Sequence, residues 1–302
     1  MQLEEILEKL ENNTGEFPRQ ALEKAIEEKE VIAPILLNIL SESKNRIEDL
    51  YNDFNYILHI YALYLLAQFR EQKAYPLIID FFSVPGDISL DVTGDVVTDD
   101  LGRILACVNH GDIKLTKKLI ENPEVNEYVK SAAIKSLVIS VVQGIIDREE
   151  AKECFAEIFS HFFENKSAVN KVENKSYWVW TQLTLNSCRL APLELQEYIQ
   201  KAFDEDLIET GQNTYDYFLN NGWENNLNEL KDDPHYSLIK NAITEMEPWA
   251  CFNTNQPLKI NNKNSSNKLE GFSSSSKKNK SKTKKKKKIQ KESRKINRTK
   301  KK

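Results

Sequence analysis

The chain has 302 residues, of which 40% are hydrophobic and 29% are charged, and its formal net charge at pH 7 is −4. A chain of this size can bury a core without disulfide staples, and its four cysteines stand far apart with no CxxC pair, which argues against a secreted disulfide scaffold. The longest apolar stretch, Ile57 to Phe69, is interrupted by His59 and Gln68 and is too short to cross a bilayer. Because the acidic, amphipathic N-terminus is unlike a signal peptide, we expect a cytoplasmic protein without a membrane span.

Charge is divided unevenly along the chain. Residues 253–302 contain 19 Lys and Arg against 2 Asp and Glu, a net of +17, which leaves 23 basic and 44 acidic residues before them, a net of −21. A run such as KKNKSKTKKKKK has no apolar residues to bury and repels itself, as disordered segments do. We therefore divide the chain into an acidic helical-repeat domain at 1–252 and a disordered Lys-rich tail at 253–302.

The beginning of the chain predicts two short helices. Apolar residues recur at helical spacing at Leu3, Ile6, Leu7 and Leu10. Farther on, Pro18 precedes a second apolar face, and proline is tolerated in the first turn of a helix. We interpret the two helices as an N-terminal cap on the domain.

From Asp49 to Leu207 the pattern becomes one of paired helices. In each pair a strongly apolar helix is followed by an amphipathic one with a charged outer face. The apolar members are predicted at Tyr56–Phe69, Asp99–Val108, Val129–Val142 and Tyr177–Leu190. The stretch from Val84 to Asp95 is the exception, because its Pro, Gly and Asp content predicts a loop.

The amphipathic helices repeat at a regular interval. Ile78, Ile120, Ile158 and Ile199 occupy equivalent positions in them, at separations of 42, 38 and 41 residues. Two-helix HEAT or armadillo units repeat about every 40 to 47 residues, and one hairpin alone cannot bury its apolar face. The sequence thus predicts an all-α fold, a HEAT/armadillo-like right-handed solenoid of helical hairpins with a curved inner surface.

The last part of the domain is less regular. Weaker helical patterns at Tyr215–Trp223 and Tyr236–Met246 lead to Trp249 and Phe252. We expect these two aromatic side chains to anchor the end of the domain, since large rings bury the most apolar area per residue.

Four blocks of sequence carry a resemblance to a known family. They are TGEFPRQALEKAIEEKEVIAPILLNIL, LHIYALYLLAQFREQKAYPLIIDFF, GDVVTDDLGRILACV and EYVKSAAIKSLVISVVQG. In this order they resemble a bacterial family called domain of unknown function 1186, over roughly Leu3 to Ile208. The resemblance implies an α-helical repeat protein and brings no activity with it. Many members of that family end in a SEC-C segment, a cysteine-rich zinc-binding motif.

The end of the tail departs from that family pattern. Lys295, Ile296, Asn297 and Arg298 are similar to the lead-in of the SEC-C motif, but the cysteines that should follow are absent. Thiolates hold the metal in such a motif. Zinc binding is therefore not carried over, and we predict no metal or other cofactor.

The candidate polyanion contact consists of five consecutive lysines: Lys284, Lys285, Lys286, Lys287 and Lys288. A lysine at a phosphate releases a counterion without reading sequence, so contact with nucleic acid would be non-specific. Phe272 is the single ring in the tail, whereas single-strand binders interleave several. Two alternatives stay open: the tail is a remnant enriched in lysine by codon bias, or it docks on the acidic domain.

A cluster of carboxylates is a second candidate site. Asp91, Asp95, Asp99 and Asp100 lie close together in sequence, and oxygen ligands suit a hard cation, although the spacing fits no EF-hand. The structural interpretation has Thr98 as a helix cap and the last two aspartates in the first turn, where the helix dipole favours them. Cation binding by the cluster stays open.

The remaining thiol and imidazole groups form no motif. Cys107 and His110 are three residues apart, but two ligands do not make a zinc site, and we expect a buried cysteine beside a loop histidine. His59, His161 and His235 have no Ser, Cys or Asp at a recognisable spacing. Nucleophilic catalysis therefore has no support in the sequence.

The aromatic group Tyr177, Trp178 and Trp180 is the candidate partner-binding site. Neighbouring residues on a helix point in different directions, so at least one ring is expected at the surface. Exposed aromatic side chains often anchor partner proteins. Packing between repeats explains the same residues equally well.

Taken together, these features predict a non-catalytic scaffold or adaptor that binds a protein partner. Because the domain is acidic, basic partners are expected. One alternative is an enzyme, metal-dependent or otherwise, whose site is assembled across repeats and leaves no linear motif. The other is a nucleic-acid-binding or ribosome-associated protein that acts through its tail. Neither the identity of the partner nor the oligomeric state follows from the sequence.

Overall fold

The computed structural model describes residues 1–166, 177–190, 193–208 and 226–252. Within them the chain forms sixteen α-helices and two short 3-10 turns, Pro234–Tyr236 and Ala250–Phe252, and no β-strand. The all-α class is therefore confirmed. The helices are α1 (Leu3–Glu11), α2 (Arg19–Glu27), α3 (Lys29–Asn45), α4 (Ile47–Asn52), α5 (Leu58–Phe69), α6 (Ala74–Phe82), α7 (Ile88–Thr93), α8 (Val96–Asp99), α9 (Leu101–Val108), α10 (Lys114–Glu121), α11 (Glu127–Val142), α12 (Arg148–Glu164), α13 (Tyr177–Leu190), α14 (Gln196–Asp204), α15 (Asn226–Leu230) and α16 (Ala242–Met246).

The predicted apolar helices correspond to α5, α9, α11 and α13, and they form a central row. Each of them packs against the next one in the row, and α3 packs against α5 at its beginning. Every residue of α5 except Gln68 is buried, as expected for a helix that is apolar on all sides. No described helix is both long and apolar enough to span a membrane.

The predicted amphipathic helices correspond to α6, α10, α12 and α14, and they form an outer row. Helix α10 packs against both α6 and α12, and α14 joins the row through the stacked rings of Phe159 and Tyr198, whose centroids are 5.6 Å apart. The four repeat isoleucines lie in these four helices and are at most 1% exposed. The sequence period thus identified real equivalent positions, whereas the handedness and curvature of a solenoid stay a prediction.

Two local predictions are wrong. The predicted loop Val84–Asp95 contains α7, which packs against α4 and buries Leu90. The predicted helix Tyr236–Met246 is α-helical only from Ala242, because side chains from elsewhere in the fold bond to the main chain of Tyr236, Ser237 and Ile239. The predicted helix Tyr215–Trp223 and the tail 253–302 lie outside the described residues.

Candidate functional site

The segment 234–246, called the strap below, lies along the central row of helices. Between its 3-10 turn and α16 the strap is not helical, and side chains of neighbouring helices bond to its backbone groups there; a buried non-helical backbone needs such partners. The bonds run from Gln143 Nε2 to the Tyr236 carbonyl (3.0 Å), Arg103 Nε to the Ser237 carbonyl (2.8 Å), Arg70 to the Ile239 carbonyl (3.2 Å), the Ile239 N–H to Cys107 Sγ (3.3 Å) and the Ala242 N–H to Gln68 Oε1 (2.7 Å).

A buried ionic cluster fastens the strap to α9. The Arg103 guanidinium donates to Asp100 at 2.7 Å and to both carboxylate oxygens of Glu245 at 2.6 and 3.0 Å. Asp100 also accepts a 2.5 Å hydrogen bond from the Tyr64 hydroxyl. Burial opposes the charged form of Arg103, but its bonds to the two carboxylates raise its pKa above the ordinary value. Arg103 therefore stays charged, and its bonds to the two carboxylates hold α16 against α9.

At its N-terminal end the strap forms one wall of a cleft. The cleft has a volume of about 370 Å³ and is otherwise lined by α11 and α13, with Val97 and Thr98 contributed from the α8 region. The wall consists of His235 and Tyr236 of the strap and of Asp233, which directly precedes it. The Asp233 carboxylate accepts the His235 N–H at 2.8 Å and so caps the 3-10 turn that positions this wall.

Two cations of the cleft share one aromatic ring. Lys135 Nζ lies 5.2 Å and the Arg189 guanidinium carbon 5.6 Å from the centroid of Tyr236, distances at which a cation is attracted to a ring. Neither cation forms a salt bridge with another residue that the structure describes. Burial and the nearby charge of Arg189 lower the pKa of Lys135. The cleft thus holds positive charge that no described carboxylate contacts.

Two aromatic side chains form another part of the lining. The rings of Tyr128 on α11 and Trp178 on α13 pack with centroids 5.6 Å apart and planes inclined by 49°. Tyr128 is 39% exposed, although it lies on a helix that is otherwise largely buried. Among the described residues the Trp178 indole Nε1 has no hydrogen-bond partner and is buried. Planar apolar surface and an unused N–H donor therefore adjoin the two cations.

The structure separates the three aromatic residues of the predicted partner site. Trp178 lines the cleft, and Tyr177 is half-buried outside its lining. Trp180 is 0% exposed and packs on the rings of Phe162 and Phe163. The prediction that Trp180 binds a partner at the surface is wrong, because its ring is buried in the core between α12 and α13. Partner binding by Tyr177 and Trp178 stays a prediction.

The acidic cluster is also separated. Asp100, which directly precedes α9, is buried against Arg103, away from a solvated loop. Thr98 is not a cap, since it lies inside α8 and its hydroxyl donates back to the Asp95 carbonyl at 3.2 Å. Within the described ranges no group of three or more His, Cys, Asp or Glu side chains is placed to hold a metal ion.

Cys107 and His110 have different neighbours, as the interpretation of a buried cysteine beside a loop histidine predicts. Cys107 is 3% exposed and accepts the Ile239 N–H. His110 is exposed, and its Nε2 lies 2.8 Å from the Arg70 carbonyl. The two side chains therefore serve the strap and a neighbouring loop separately.

Sequence reasoning missed most of the cleft. Lys135, Arg189, Tyr128 and Tyr236 were not among the predicted site residues. One signal was present: Lys135 and Arg189 are charged residues within helices whose other residues are mostly apolar. A charge in such a helix is costly unless it faces a partner, a ligand or water.

Comparison with known proteins gives a consistent picture. A family model described as "Protein of unknown function (DUF1186)" matches residues 1–253. A protein of Chlamydia trachomatis serovar D, named only "Uncharacterized protein", is 39% identical over 253 residues, which is 82% of this chain and 96% of the relative. A Chlamydia muridarum protein with the same name is 38% identical over 251 residues, covering 82% and 97%. No solved structure matches.

Proposed function

The chain belongs to the DUF1186 family of proteins of unknown function, and this membership brings no activity with it. We propose that the protein is a non-catalytic helical scaffold that binds a partner protein. In this proposal the two rows of helices are the inner and outer layers of a HEAT-like stack. Such stacks present an extended inner surface to their partners.

The observation that supports the proposal is the way in which the strap is held. Side chains of α5 and α9, and Gln143 directly after α11, bond to the main chain between Tyr236 and Ala242, where α16 begins. Main-chain recognition of this kind suits an extended polypeptide of many sequences. The central row therefore has the chemistry needed to bind an extended segment of another protein.

The partner is proposed to bind where the strap leaves the central row, between α11 and α13. Tyr128 and Trp178 provide the aromatic anchors typical of interface hot spots. Lys135 and Arg189 favour an acidic side chain at this place. The basic partners predicted from the overall charge would instead meet the acidic remainder of the domain.

The proposal is tested by site-specific photo-crosslinking in the native cell. A photoreactive phenylalanine analogue at position 128 is expected to capture one discrete protein, and the same analogue at Lys118, exposed on the outer row, should not. Trp178→Ala in the same chain should abolish the product at 128. Equal products at both positions, or a product unaffected by Trp178→Ala, would contradict binding at the cleft.

One observation favours an enzyme as the second candidate. A lysine whose pKa is lowered inside a cleft, as that of Lys135 is, is a recurrent feature of catalytic sites. Turnover of a small molecule by the purified protein, lost in Lys135→Gln and retained in Lys118→Gln, would support this candidate over the scaffold.

Nucleic-acid binding through the tail concerns residues outside those described and stays a prediction. Affinity purification of the full-length chain and of residues 1–252 tests it, since RNA or ribosomal proteins should then copurify only with the full-length chain. If RNA or ribosomal proteins copurified equally with both chains, the tail would not be the nucleic-acid-binding segment.

A further inference from the structure

We propose that the cleft between α11, α13 and the strap is a binding site for a small organic anion that carries a planar ring, such as a nucleoside monophosphate or an aromatic carboxylate. This inference assigns a small ligand to the same cleft at which the partner protein is proposed to bind, and it does not require the scaffold function. It rests on three features of the cleft: uncompensated positive charge, an aromatic wall and a suitable volume.

The charge of the cleft selects an anion. Lys135 and Arg189 both lie against the ring of Tyr236. The distances to the ring centroid are 5.2 Å from Lys135 Nζ and 5.6 Å from the Arg189 guanidinium carbon. Two like charges held close together repel each other, and an anion placed between them removes that cost. A guanidinium also offers two parallel donors to a carboxylate or phosphate.

One carboxylate, that of Asp233, lines the cleft beside these two cations. Its charge raises the pKa of Lys135, but burial and the charge of Arg189 outweigh it. Asp233 directs its oxygen to the His235 N–H at 2.8 Å and forms no salt bridge with Lys135 or Arg189. Its role is to hold the 3-10 turn, and with it Tyr236, in place. The described lining therefore keeps an excess of positive charge for a ligand.

The aromatic wall selects a planar body. Tyr128 exposes 39% of its surface beside Trp178, and flat rings stack favourably on such side chains. The unpartnered Trp178 Nε1 donor and the amide of Gln182 in the lining offer polar contacts to a heteroaromatic ring. The volume of about 370 Å³ is at the lower end of the range for small-molecule sites.

Calorimetry on the full-length protein at low salt tests the proposal with AMP and indole-3-acetate as probes. Adenosine and inorganic phosphate are the two halves of AMP, and indole and acetate are those of indole-3-acetate. At least one probe is expected to bind about tenfold or more tightly than either of its own halves, as a charge-assisted contact implies. Binding of AMP alone identifies a phosphate ligand, and binding of indole-3-acetate alone a carboxylate ligand.

Variants separate the cleft from the basic tail. Arg189→Gln and Lys135→Gln should each weaken the preferred probe about tenfold, whereas Lys118→Gln and the replacement of Lys284 to Lys288 by serine should leave its affinity unchanged. Circular dichroism checks that each variant is folded. The proposal would be overturned if the affinity for the probe fell when the tail lysines were replaced and did not change in Arg189→Gln.

A second measurement does not depend on variants. Limited acetylation with acetic anhydride, followed by mass spectrometry, should show that the preferred probe protects Lys135 and leaves Lys118 reactive. Equal acetylation of Lys135 with and without probe, or failure of both probes to bind, overturns the small-anion site. Crosslinking at position 128 is a separate measurement. If it captures a partner protein while neither probe binds, the small-anion site is wrong and the scaffold proposal stands.

Discussion

His59 is a neutral histidine in the core. It is 2% exposed, its Nε2 lies 3.1 Å from the Val92 carbonyl, and Nδ1 has no hydrogen-bond partner among the described residues. Burial lowers its pKa to about 4, although the bond to Val92 partly opposes the shift. The ring is therefore neutral in the fold and keeps one ring N–H, which Nε2 donates to the Val92 carbonyl.

We predict that this residue makes the fold acid-sensitive. Below about pH 6.5 the unfolded chain binds a proton at His59 and the folded chain does not, so the free energy of unfolding falls as the pH is lowered toward 4. The loss from this residue is about 3 kcal/mol. Urea unfolding of wild type and His59→Gln between pH 7 and pH 4 should give a flatter dependence for the variant. His235→Gln, at an exposed site, should keep the wild-type dependence; equal slopes for wild type and His59→Gln would contradict the prediction.

Arg103 is the centre of the ionic cluster that holds the strap. Replacing it by Met leaves Asp100 buried and both carboxylates without their cation, so we predict a loss of about 3–5 kcal/mol in the free energy of unfolding. Lys24→Met removes an exposed pair with Glu27 and should leave the urea midpoint nearly unchanged. Similar midpoints for the two variants would show that the buried cluster contributes little.

At the scale of helices, the contact between α9 and α11 depends on Gly102. A Cβ added at this position would lie 2.9 Å from the backbone oxygen of Ala132, which is closer than ordinary van der Waals contact. The absence of a side chain therefore lets α9 approach the backbone of α11. The same approach brings Arg103 and Lys135 to the side of the row on which the strap lies, since each contacts a strap residue.

We predict that Gly102→Ala lowers the melting temperature. In an isolated helix alanine is favoured over glycine by about 1 kcal/mol, but here the added methyl group forces α9 away from a backbone atom that cannot rotate aside. Differential scanning calorimetry of the variant and wild type measures the change. An equal or higher melting temperature would mean that helix propensity outweighs the contact.

At the scale of the molecule, the strap and the tail should contribute very differently to stability. The segment from Tyr236 to Phe252 buries apolar side chains in the same core as the N-terminal helices. Phe252 contacts Phe17 with ring centroids 5.2 Å apart, and Trp249 contacts Tyr64 at 5.5 Å. The expected anchoring of the domain by these two aromatic residues is therefore confirmed.

We predict that a chain ending at residue 252 melts at nearly the same temperature as the full-length protein, whereas a chain ending at residue 233 loses cooperative unfolding. The second truncation uncovers apolar surface of α5 and α9 and leaves Arg103 without Glu245. Thermal unfolding followed by circular dichroism, with a dye for exposed apolar surface, distinguishes the two. Loss of cooperativity in the longer chain would show that the tail is part of the fold.

The sequence by itself determined the all-α class and the positions of the two rows of helices, because apolar periodicity is local. Ile78, Ile120, Ile158 and Ile199 could be aligned by spacing alone, and all four are buried in the outer row. It did not predict α7 or the non-helical start of the strap. It also determined the division of charge, which is a matter of counting. The tertiary structure decided the path of the strap, where side chains of the central row replace a helical ladder, and it decided the cleft. Lys135, Arg189 and Tyr236 lie far apart in sequence and meet because α11 packs on α13 and the strap returns across both. A local pattern shows which face of a helix is apolar, but the distant segment that covers this face is selected by the packing of the whole chain.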